Sequence, residues 1–151
     1  MSQFCGVHRP PRAGVDQIDS AAAALAVIRL VVHQPLQPEV IVLVLDADRR
    51  GRTVVLVDGT DEPDSVLEVV ERIAESAADS ELGAALVVAS VRPGSGPLDG
   101  DDERWLEACD LADGVGVELL EWFVISDDTG PTTAWCPRDL LADPPRWPRA
   151  S

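Results

Sequence analysis

Apolar and polar positions along the chain follow two periods, and the changes between them predict its elements. From Asp16 onward, Ile18, Ala21, Ala22, Leu25, Ile28 and Val32 recur at the three- and four-residue spacing of a helix face. Asp16 or Asp19 suits that helix's N-terminus, and Pro35 and Pro38 stop it. His33 then falls in its last turn, where a cation favours the helix dipole. Six consecutive apolar residues, Val40–Leu45, follow Glu39 and predict a strand buried on both faces. The polar turn Ala47–Arg52 and the run Thr53–Asp58 predict a returning antiparallel strand. Ser65 and Glu68 have the spacing of a capping box. The helix after them carries a stripe of Val66, Val69, Val70, Ile73, Ala74 and Ala77.

The second half repeats this grammar. Ala84–Ser90 predicts a third strand, followed by a Gly/Pro loop and the acidic start of a helix at Asp99, Asp101 and Asp102. Trp105, Ala108, Cys109 and Ala112 form that helix's apolar stripe, and Gly114 and Gly116 end it. Val117–Ser126 predicts a fourth strand, and Thr132–Cys136 a short fifth one at an edge. The expected fold is α+β, a three-layer arrangement with one mixed sheet of about five strands and helices on its faces. Residues 1–15 are expected to be a loose Pro/Arg/Gly-rich arm, 16–136 a single domain and 137–151 an irregular Pro-rich tail.

Charge and composition narrow the function classes. Net charge is -15, and residues 58–128 hold 20 acids against 3 arginines. Such a surface repels phosphate backbones, so no nucleic-acid partner is expected. The chain has no lysine, which removes a lysine nucleophile, a Schiff base and the P-loop lysine. Three cysteines without C-x-x-C spacing argue against a disulfide framework or zinc ribbon. Cys5 and His8 are only half of a metal motif. No apolar run approaches a membrane span and the first residues lack a signal peptide's apolar stretch, so a cytoplasmic protein without a membrane partner is expected.

The loop after the third strand stands where α/β proteins usually keep their chemistry. Gly94-Ser95-Gly96 has the strand-to-helix context of a phosphate cradle, but the full glycine motif is absent and acids follow it. Neither Ser90 nor Ser95 sits in a nucleophile elbow, and Cys136 has no visible base.

Three segments carry a family resemblance: PEVIVLVLDADRRGR, ELGAALVVASVRPGSG and GVELLEWFVIS. Over roughly residues 39–135 the chain resembles the RadC-like branch of the JAB/MPN domains. The resemblance implies a site at the end of the third strand. There the family places His-x-His, then Pro and Gly/Ser, then an Asp at the next helix start. These bind zinc, and a Glu near the first strand is the general base for hydrolysis. Carried onto this chain, the two histidines fall on Ser90 and Arg92, while Pro93 and Gly94–Gly96 keep the loop. The Asp falls on Asp101, with Asp99 and Asp102 as alternatives. Glu39 stands near the glutamate position, up to one residue out of register.

Serine is a poor zinc ligand, and guanidinium has no free lone pair and keeps its charge. The expectation is therefore a pseudo-site of Glu39, Ser90, Arg92 and Asp101. In it Arg92 stands in the cation's place, facing Asp101 or Glu39, with no catalytic residue, metal or cofactor. The implied function is a non-catalytic scaffold or binding module with an unidentified protein partner. Trp135 and Trp147 are the candidate interface residues. A metal-dependent peptidase or isopeptidase with atypical ligands, and a small-ligand or nucleotide binder using the 90–101 loop, are the alternatives.

Overall fold

Strand β1, Glu39–Leu45, is the centre of the molecule and is buried along its whole length. The protein is described here from a computed structural model that covers residues 16–80, 83–130, 133–142 and 146–147. Helix α1 (Ala21–Arg29) precedes β1, and β2 (Gly51–Asp58), α2 (Ser65–Ser80), β3 (Ala85–Val91), α3 (Asp101–Asp113) and β4 (Glu118–Ile125) follow it. The fold is α+β, with a four-stranded mixed sheet of order β2-β1-β3-β4 and three α-helices. β1 pairs antiparallel with both β2 and β3, and β4 runs parallel to β3.

Strand alternation divides the core into two layers. Val40, Val42, Val44, Leu86, Val88 and Trp122 face α2 and α3. Ile41, Leu43, Leu45, Val87, Val91 and Phe123 face α1. Both layers are apolar, which is why β1 and β3 read as unbroken hydrophobic runs rather than alternating ones.

Several boundaries differ from the sequence reading. Helix α1 begins at Ala21 rather than near Asp16, capped by the Ser20 hydroxyl, which accepts from the Ala23 amide at 3.1 Å. Ahead of it, Gln17 bridges to Arg50 and the Ile18 amide donates to the Arg49 carbonyl. Pairing with the hairpin turn thus holds 16–18 out of the helix, although Ile18 is buried as its pattern implied. The helix also ends at Arg29, so His33 is not in its last turn. In the hairpin the left-handed position is Arg49, while Gly51 belongs to β2 and lies under Ile18.

The expected fifth strand is reduced, among the described residues, to one antiparallel bridge between Val124 and Trp135. Both of its hydrogen bonds form, at 2.8 and 2.9 Å. Pro137 lacks the amide needed to extend the ladder, and it starts a 3₁₀ helix over Pro137–Leu141 where the tail was expected to be irregular. Among the described residues no helix is long and apolar enough to cross a membrane.

Gly83 shows how closely α2 returns to the sheet. A Cβ there would lie 2.6 Å from the Ala77 Cβ and 2.9 Å from Val44 Cγ1. Gly83→Ala is expected to destabilise by about 1–3 kcal/mol through overpacking. A fall in the urea midpoint with an unchanged slope would register it.

Candidate functional site

β3 delivers its last residues to the sheet end that also receives the start of α3. The Arg92 amide donates to the Ile125 carbonyl at 2.8 Å, which fixes the loop's departure beside β4. Gly94 (φ 77°) and Gly100 (φ 88°) take left-handed conformations that turn the chain back into α3. Arg104 lies across Gly100, where a Cβ would come within 3.4 Å of its guanidinium.

This short loop brings Arg92 and Asp101 together. Arg92 Nη1 and Nη2 donate to the two Asp101 carboxylate oxygens at 2.8 and 3.0 Å, a bidentate pair. The Leu98 amide donates to Oδ2 at 2.8 Å and Arg104 Nη1 to Oδ1 at 3.0 Å. Asp101 has no exposed surface. Burial by itself raises its carboxyl, but the bonds from Arg92, Leu98 and Arg104 and the Arg92 charge prevail and hold it below the ordinary carboxylate range.

The surroundings complete this arrangement. Arg92 also donates to the Gly96 carbonyl, and its guanidinium stands 5.6 Å from the Trp122 ring centroid. Trp122 Nε1 donates to Ser90 Oγ at 3.0 Å, so the buried serine partners the indole. Arg104 Nε reaches Asp64 ahead of α2 at 2.8 Å, linking the two helix starts. Arg104 and Trp122 were not identified as site residues from the sequence. The three-residue spacing of Asp101 and Arg104 was a usable signal. The Ser90–Trp122 contact spans two strands and had none.

Glu39 does not join this group. In the β1–β3 register it lies opposite Val91, and Val40 lies opposite Ser90. Val91 belongs to the α1 layer and Val40 to the α2/α3 layer. Glu39 is therefore on the other face of the sheet from Ser90, Arg92 and Asp101. Its carboxylate accepts instead from His33, at 2.8 Å from Nδ1 and 3.1 Å from the amide nitrogen. Of the two partners expected for Arg92, the structure brings it to Asp101.

Two depressions flank the pair. A cleft of about 240 Å³ is lined by Val40, Thr60, Pro63, Ser90, Arg92 and Pro93 among others. A groove of about 300 Å³, apolar apart from Asp101 and Asp139, lies between Pro97, Val124, Trp135, Pro137 and Leu140. Trp135 is 44% exposed and packs on Gly96, whose Cβ would meet its Nε1 at 3.1 Å. Trp147 is buried in the α1-side core, so of the two expected interface residues only Trp135 presents an open face. Burial, aided by the Glu121 charge, pushes the Cys136 thiol up to about 12, the opposite of what an activated nucleophile needs. The Cys5–His8 pair lies outside the described residues.

No protein-family model matches the chain, and no curated protein matches it in sequence.

Proposed function

We propose that the protein is a non-catalytic domain of the RadC-like JAB/MPN type that serves as a protein-binding or scaffold module. The carrying observation is the Arg92–Asp101 pair at the junction of β3 and α3. In a zinc hydrolase of this type the site would need lone-pair donors and an open position for water. Here Arg92 supplies the positive charge itself, Ser90 is bonded to Trp122, and Val40 rather than an acid faces Ser90 across the strands. The five-stranded form of that fold would be completed by the Trp135 segment beside β4.

The dimensions favour binding of a protein over a nucleotide. The cleft of about 240 Å³ falls short of the roughly 300–1,000 Å³ typical of ligand sites, and the groove of about 300 Å³ stands at its lower limit. The groove beside Trp135 is mostly apolar, and Leu140, 60% exposed, extends it. An aromatic anchor in an apolar setting suits a protein interface.

The test joins two measurements on the full chain. Peptide and isopeptide substrates are expected to remain intact, with or without added zinc. A partner retained by the wild-type chain is expected to be lost on Trp135→Ala, with little change in melting temperature. Chelator-sensitive hydrolysis abolished by Asp101→Asn would overturn the reading, as would partner retention indifferent to Trp135.

A further inference from the structure

The second polar cluster lies on the far face of the sheet and is built from three segments. Glu39 is the first residue of β1 and Asp58 the last of β2, and they are direct register partners. Their side chains therefore share one face. The turn after α1 brings His33 over them, its Nδ1 at 2.8 Å from Glu39 Oε1. One ligand atom each from His33, Glu39 and Asp58 can be chosen so that all lie within 4.8 Å of one another.

The charge balance distinguishes this cluster from the other buried acids. Asp101 has Arg92 and Arg104, and Glu121 has Arg138. Glu39 is equally buried, but its one ion-pair partner among the described residues is His33, whose side chain is 49% exposed. Among the described residues Asp58 accepts only a long contact, 3.4 Å, from Gln37 Nε2. Among the described residues, then, one imidazole stands near both carboxylates, one of which is fully buried, and no arginine pairs with either. A buried carboxylate that keeps its charge is stabilised by an ion-pair partner or a metal.

We propose that His33, Glu39 and Asp58 form a site for a zinc-type divalent cation. One nitrogen and two carboxylate oxygens suit a borderline metal, and three protein ligands leave a fourth position for water. Calcium takes six to eight oxygens, more than this cluster offers. Bonds of about 2.0–2.2 Å at a tetrahedral ion would set its ligand atoms about 3.4 Å apart. Reaching that spacing needs an opening of about half an ångström between His33 and Glu39, and Asp58 offers an oxygen within 4.8 Å of both. Both exposed ligands are at segment ends, where such movement is least constrained. The bound ion would clamp the α1–β1 turn onto the open end of the hairpin. This site is independent of the Arg92–Asp101 pair, which lies across the sheet.

Isothermal titration of the metal-free full chain with zinc chloride tests the proposal, together with thermal unfolding. Cys5→Ser/His8→Ala is the background, so that the arm contributes no ligands. One equivalent of zinc is expected to bind and raise the melting temperature. His33→Ala and Asp58→Ala, both at exposed positions, are each expected to weaken binding at least tenfold and remove the thermal shift. Glu107→Gln, an exposed carboxylate on α3, is expected to leave both unchanged. Absence of zinc binding, binding indifferent to His33 and Asp58, loss on Glu107→Gln, or an equal response to calcium would each overturn the assignment.

Discussion

Arg92→Ala is expected to destabilise the protein by about 3–5 kcal/mol, the cost of stripping one partner from a buried ion pair. Asp101 would keep the Leu98 amide and Arg104 but lose its bidentate partner. Trp122 would lose the guanidinium beside its ring. Arg92→Met/Asp101→Asn, which removes both charges, is expected to recover more than half of the loss, because no buried carboxylate is left underpaired. Urea unfolding of Arg92→Met, Asp101→Asn and the double completes a mutant cycle.

Acid provides a second readout. The Asp101 carboxyl is held below its ordinary value in the folded state. Its contribution is therefore fully present above its unfolded value of about 3.9 and is lost as pH falls through the depressed folded value. The gap between wild type and Arg92→Ala should be widest near neutrality and narrow below about pH 4. A gap constant from pH 7 to pH 3 would show that the loss was one of packing alone.

Arg138→Ala is expected to cost a comparable 3–5 kcal/mol, roughly, for the same reason at a different place. Glu121 is wholly buried in β4, and Arg138 Nε reaches its two oxygens at 2.9 and 3.0 Å. The sign of its pH dependence is opposite. Burial raises the Glu121 carboxyl above its ordinary value despite Arg138. A carboxyl raised on folding opposes stability at neutral pH, and that opposition eases as pH falls from its folded value toward the unfolded value of about 4.3. Removing Arg138 raises it further, so the deficit of Arg138→Ala should begin to shrink above pH 4.3, before the Asp101 window opens. Arg138→Ala/Glu121→Gln should recover stability at pH 7. Equal deficits for the single and the double would place Arg138's role in packing the 3₁₀ helix instead.

Strands β1 to β4 were legible because their sequence admits few alternatives. Val40–Leu45, six consecutive apolar residues ended by a polar turn, is too short for a core helix and suits a central strand. Residues 66–77 and 105–112 carry stripes of helical period, and both stripes are buried apart from Ile73, which is half-buried. For Arg92 the sequence offered Asp101 or Glu39 as partner; only eight residues of loop separate Arg92 from Asp101, short enough for the two to meet. Glu39 was not assignable in the same way. Strand side chains alternate, so one residue of register decides between the Arg92 cleft and the opposite face. Glu121 was unremarkable within an apolar strand, and Arg138 within a proline-rich tail, until folding placed one beside the other.

By itself, the sequence determined the order of the three α-helices and of strands β1 to β4, the two-sided core and the place of the loop between β3 and α3. These follow from local periodicity and short-range closure, which neighbouring residues impose on one another. Tertiary structure alone decided that Glu39 turns away from that loop toward His33 and Asp58, that Ile18 leaves the helix for the hairpin, and that Arg138 neutralises Glu121. Each depends on register or on contacts between distant segments, and a buried charge reveals its need for a partner only once its burial is known.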